Sequence, residues 1–115
     1  MTPVDVAVYM ATEPVDLRAG FDKLAALVRA TLKMEPNSGA LYLFTNRRKN
    51  RMKALWWDKN GWVVLYKKLC RNSFHWCASS EDGSVYVEIS AADFARLLAG
   101  LPAANLTFQR PPVVH

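Results

Sequence analysis

The sequence is short of the residues that define several protein classes. It has only two cysteines in 115 residues, too few for a disulfide framework, so Cys70 and Cys77 are expected to be cytoplasmic thiols. No apolar run approaches the roughly 20 residues of a membrane-spanning helix. The N-terminus lacks a basic leader followed by an apolar stretch, so no secretory signal is expected and the chain reads as cytoplasmic. Internal repeats are absent, and no linker divides the chain. One domain over residues 1–102 is therefore expected, followed by a flexible tail, 103–115, that carries Pro111-Pro112 and few core candidates. Acids are also in the minority, with 10 Asp or Glu against 15 Lys or Arg. A pI near 9.5 favours an anionic partner such as nucleic acid.

The basic residues that are present are concentrated. Thr45 to Arg71 contains nine Lys or Arg and one acid, Asp58, whereas the rest of the chain has six basic and nine acidic residues. Trp56, Trp57, Trp62 and Tyr66 lie in the same stretch. Near its middle, Asp58-Lys59-Asn60-Gly61 is a hairpin signal. A β-hairpin presenting a basic face to a polyanion is the simplest structure for this stretch.

Taken in order, Asp5–Met10 reads as a strand. Asp16 is a plausible helix N-cap for the segment beginning at Leu17. Leu17, Phe21, Leu24, Val28 and Leu32 recur at helical spacing and form one apolar stripe. Gly20 weakens the first turn, so the helix is expected to start cleanly only near Phe21. Ala40–Phe44 reads as a strand, Thr45–Asn50 as a basic connector, and Arg51–Asp58 and Trp62–Leu69 as the central hairpin. Two turns are compatible with the hairpin sequence. One sets Lys53 opposite Lys68 and the other sets it opposite Lys67, so each juxtaposes like charges. Cys70–Trp76 reads as irregular chain or a short strand, Ser79–Ser84 as a polar turn and Val85–Ile89 as a strand. Ser90 caps a short helix, Ala91–Ala99. The predicted fold is α+β: a single domain with a curved antiparallel sheet and a central β-hairpin, one main helix packed on a face, and a short C-terminal helix.

The candidate chemistry is chiefly electrostatic. Arg47, Arg48, Lys49, Arg51, Lys53, Lys67, Lys68 and Arg71 are the expected nucleic-acid contacts, through phosphates and with room for one arginine at a base edge. Asp16 and Asp22 are the most tempting carboxylate pair, but strand-transfer chemistry needs a third carboxylate to hold two metal ions. They suit better the cap and first turn of a helix. Arg18 is spaced to pair with Asp22 one helical turn on, with phosphate binding as the alternative. Cys70, His75 and Cys77 lack a fourth ligand and match no common zinc spacing. Trp56 and Trp57 point to opposite faces of a strand, so at least one is expected in the core. No catalytic residue, metal or cofactor is expected.

A series of motifs carries a family resemblance. Asp16-Leu-Arg18-Ala-Gly20-Phe21-Asp22-Lys-Leu24 is followed by Leu41-Tyr-Leu-Phe44, Asn46-Arg47-Arg48 and Met52-Lys53. Then come Trp57-Asp58 through Gly61, and Tyr66-Lys67-Lys68-Leu69. Over roughly Val8 to Leu98 the chain resembles the small accessory protein of bacterial insertion sequences in the family numbered sixty-six. That protein is often labelled TnpB, a label it shares with an unrelated RNA-guided nuclease. Lys23 stands where many members carry glycine. The resemblance implies a protein encoded beside a separate, larger transposase, and it brings no catalytic residues with it. The expected function is therefore a non-catalytic transposition accessory that binds DNA through the connector and hairpin. The alternative is an adaptor that docks on the transposase without touching DNA. Self-association is left open.

Overall fold

The computed structural model describes residues 6–77 and 83–102. The proposed tail at 103–115, Asp5 and most of the polar turn expected at Ser79–Ser84 lie outside the described residues. Among those described, five strands form one sheet: β1 (Val8–Ala11), β2 (Leu41–Thr45), β3 (Arg51–Asp58), β4 (Gly61–Lys68) and β5 (Tyr86–Ile89). Their spatial order is β4-β3-β2-β1-β5. The central strand, β2, is buried along its whole length, which explains its unbroken apolar sequence: both faces of a central strand are covered. The α+β single-domain architecture is as expected.

The sheet is mixed rather than wholly antiparallel. β1 and β2 run parallel, with Val8, Tyr9 and Met10 opposite Leu41, Tyr42 and Leu43. The segment between these strands is a helical crossover, the type of connection that parallel neighbours require. The remaining pairs are antiparallel.

Helix α1 (Phe21–Leu27) continues as a π-helical turn over Val28–Leu32. It ends at Lys33, whose φ of 59° places it in the left-handed region. Gly20, not Asp16, is the N-cap, and it makes no side-chain capping bond. Leu17 therefore precedes the helix, and burial along α1 begins at Leu24. Leu17, Leu24, Val28 and Leu32 are buried as the stripe predicts, but Phe21 is 46% exposed. At the other end of the chain, α2 (Ala91–Leu98) begins as expected, with the Ser90 hydroxyl accepting from the Asp93 N–H at 3.0 Å.

The two sheet faces carry separate cores. On one, Leu24, Val28 and Leu32 pack with Tyr42, Phe44 and Leu55. On the other, Val8, Met10, Leu41, Leu43, Met52 and Val87 pack with Leu97 and with the irregular chain through Phe74 and Trp76. Trp76 fixes that chain by donating from its indole N–H to the Ala11 carbonyl at 2.8 Å.

The hairpin adopts neither of the two registers anticipated. Asp58 pairs with Gly61 across a two-residue Lys59-Asn60 turn, so Lys53 lies opposite Tyr66 and Arg51 opposite Lys68. Lys59 takes the left-handed φ of 58° that the turn requires, and Gly61 is the first residue of β4. Cross-strand packing outweighs the turn preference for Asn-Gly. This register sets Leu55 opposite Val64 and Trp57 opposite Trp62, and the two indoles meet edge to face at 5.0 Å.

Candidate nucleic-acid interface

The basic connector is a tightly built loop. Asn46 closes it: its Oδ1 accepts from the backbone N–H groups of Asn50 and Arg51, each at 3.1 Å, and its Nδ2 donates to Asn50 Oδ1 at 2.7 Å. The Lys49 N–H donates to the Asn46 carbonyl, and Lys49 adopts a φ of 61°. Thr45, buried at the end of β2, donates from its hydroxyl to the Arg51 carbonyl at 2.8 Å. With the backbone and Asn46 satisfied internally, Arg47 and Arg48 are left exposed at the loop tip.

The segment before α1 is held against this loop by the Val15 N–H, which donates to the Thr45 carbonyl at 2.9 Å. Its Asp16 and Arg18 form a closed pair. The Arg18 Nε lies 3.1 Å from each Asp16 oxygen, its Nη2 donates to Oδ2 at 2.7 Å, and its backbone N–H donates to Oδ1 at 3.0 Å. The expected Arg18–Asp22 pairing is therefore replaced, because Arg18 lies ahead of the helix and has no i,i+4 geometry there. Arg18 holds the Asp16 carboxyl well below its ordinary range, at about 2. The carboxylate in turn raises the Arg18 pKa. The pair sits in water, with the Arg18 side chain 91% exposed, so it orients the guanidinium more than it stabilises the fold.

A groove of about 470 Å³ lies between the two segments. It is lined by Pro14, Val15, Asp16, Leu17, Arg18, Asn46, Arg47, Arg48 and Arg51. Four arginines thus face one carboxylate. Two ion pairs are recorded among the described residues, Arg18–Asp16 and Arg29–Glu35, and neither uses Arg47, Arg48 or Arg51. The groove provides planar guanidinium donors suited to phosphate oxygens.

The other anticipated contacts divide. Lys68 lies opposite Arg51 and is exposed, so it extends the same basic face. Arg71 is exposed in the chain after β4. Lys53 donates to the Ala19 carbonyl at 2.9 Å. Lys67 points to the opposite face of the sheet, donating to the Leu98 carbonyl at 2.6 Å. Lys49 is half-buried, and its carbonyl accepts from the Phe74 N–H at 2.6 Å. Lys53 and Lys67 thus commit their ammonium groups to backbone carbonyls, whereas at Lys49 it is the backbone that is bonded. Arg18 is the groove residue for which sequence reasoning preferred a pairing with Asp22 and gave phosphate binding only as the alternative. Its place in the Asp16–Leu24 motif was visible, but its approach to the connector depends on the Val15–Thr45 bond.

The aromatic and sulfur side chains also separate. Trp56 packs against the core on the α2 side, while Trp57 and Trp62 occupy each other. Tyr66 is 50% exposed. Cys70 is exposed and Cys77 buried, and burial pushes the Cys77 thiol up to about 11. Among the described residues, no group of three His, Cys, Asp or Glu could hold a metal ion. Nor is any described helix long and apolar enough to cross a membrane.

Comparison with known proteins places this architecture in a family. A family model described as "IS66 Orf2 like protein" matches residues 6–107. The chain is 37% identical over 97 residues to the uncharacterised protein y4hO of Sinorhizobium fredii, covering 84% of this chain and 82% of that one. It is 33% identical over 106 residues to the uncharacterised protein y4jC of the same organism, covering 92% and 86%. No solved structure matches. These matches define an accessory protein of insertion sequences, and the chain belongs to the IS66 Orf2-like family.

Proposed function

We propose that the protein is a non-catalytic accessory factor of insertion-sequence transposition that binds DNA at the arginine groove and assists a separate transposase. The observation that carries this proposal is the convergence of Arg18, Arg47, Arg48 and Arg51 on one groove with a single acid. These arginines come from two segments distant in sequence, and the fold brings them together. Exposed Lys68 and Arg71 add positive charge to the surface. Contacts of this kind bind phosphates, whatever the base sequence, and position a complex.

One observation favours an adaptor that docks on the transposase without DNA. β4 is an edge strand bearing exposed Val64 and Tyr66, and an open edge can accept a strand from another protein. DNA-binding titrations at several salt concentrations, with and without the transposase, separate the two. A salt-dependent affinity of the protein alone supports the DNA-binding factor. Affinity that appears only with transposase present supports the adaptor.

A further inference from the structure

The surface next to the arginine groove has a composition that simple phosphate binding does not require. Side chains alternate between faces along β3, so Arg51 and Lys53 share the face of Leu55, which packs under α1. Their cross-strand partners, Lys68 and Tyr66, lie on that same face. Lys53 bridges two elements here. Its ammonium donates to the carbonyl of Ala19, the residue after Arg18, and lies 5.4 Å from the centre of the Tyr66 ring. The Tyr66 ring therefore stands beside the segment that supplies the groove with Arg18. It is 50% exposed, and Phe21, two residues beyond Ala19, is 46% exposed. Exposed rings beside a track of guanidinium groups form the combination that holds unpaired nucleotides: cations follow the backbone, and a ring takes the face of a base. In a duplex the base faces are already stacked, and a ring beside the backbone has nothing to stack on.

We infer that the DNA bound here is single-stranded, with its phosphates along the Arg18–Arg47–Arg48–Arg51 groove and a base stacked on Tyr66. This rests on the DNA-binding proposal above and narrows its ligand. Lys53 is a positioning residue that holds the ring beside the groove.

The test is fluorescence anisotropy of the full chain with labelled oligothymidylate and with a duplex of equal length. The single strand should bind more tightly. Tyr66→Ala should weaken single-strand binding by roughly 5- to 150-fold, the range for loss of one stacked base, and leave duplex binding unchanged. Tyr66→Phe keeps the ring and should restore single-strand affinity, which separates stacking from any disturbance of the fold. Equal or tighter duplex binding with Tyr66→Ala without effect would overturn this inference and leave the DNA-binding proposal standing. Absence of binding to either DNA would overturn both. If Tyr66→Ala weakens capture of the transposase alone, the ring is a protein contact and the inference fails.

Discussion

Lys53 Nζ donates to the Ala19 carbonyl oxygen at 2.9 Å. This bond ties β3 to the segment between Arg18 and α1, and it gives Lys53 a role quite different from the one its charge suggests. If Lys53 faced another lysine, Lys53→Glu would relieve repulsion. In the observed register it faces Tyr66, so the glutamate loses both the hydrogen bond and the ring contact. Lys53→Glu is expected to destabilise the protein by about 1–2 kcal/mol. Thermal melting of the free variant should show a lower midpoint, and a raised midpoint would contradict the register.

The like-charge pair exists elsewhere, between Arg51 and Lys68. Directly opposed cations on a strand pair cost a few tenths to about 1 kcal/mol. Lys68→Glu should therefore raise the melting temperature of the free protein while weakening its affinity for DNA. Two cations kept side by side are useful if an anion lies between them. A lower melting temperature with unchanged affinity would show that Lys68 acts neither as a repelling neighbour nor as a DNA contact.

Lys67 provides the opposite case. Its ammonium holds the Leu98 carbonyl at the end of α2, on the other side of the sheet from the groove. Lys67→Met should cost about 1–2 kcal/mol of stability and leave the salt dependence of DNA binding unaltered. A flatter salt dependence in this variant would return Lys67 to the binding surface.

Much of this fold was legible in the sequence because the signals were local. The alternation of the strands, the Ser90 cap and the apolar stripe from Leu24 to Leu32 each depend on neighbouring residues, and each appears near its expected position. The parallel β1–β2 pair and the hairpin register depend on packing between distant segments. Asn60-Gly61 suggested a turn, but the Trp57–Trp62 and Leu55–Val64 pairs determined it. The candidate site follows the same division. Arg47, Arg48 and Arg51 stood out as a charge run, whereas Arg18 joins them through the Val15–Thr45 bond. Charge alone could not distinguish these arginines from Lys53 and Lys67, whose ammonium groups satisfy backbone carbonyls.

The cysteines should differ sharply in reactivity. Cys77 is buried, and its thiol is pushed from 9.0 up to about 11, so it carries little thiolate at pH 8. A thiol reagent at that pH should modify Cys70 in the native protein and reach Cys77 only on unfolding. Cys70→Ser should abolish the native reaction. The sign for stability follows from the raised value: the contribution of Cys77 is present below pH 9 and is lost as pH rises toward 11. Rapid labelling of Cys77 in the folded protein would contradict its burial.

The role of the arginine groove is measured most directly by the salt dependence of DNA affinity for the native protein and for Arg47→Ala/Arg48→Ala. If both side chains contact phosphates, the log–log slope should flatten by about 0.7 per lost contact on single strands and about 0.9 on duplex. Affinity should fall alike for all base sequences. An unchanged slope, with circular dichroism confirming an intact fold, would show that the groove is not where this protein meets DNA.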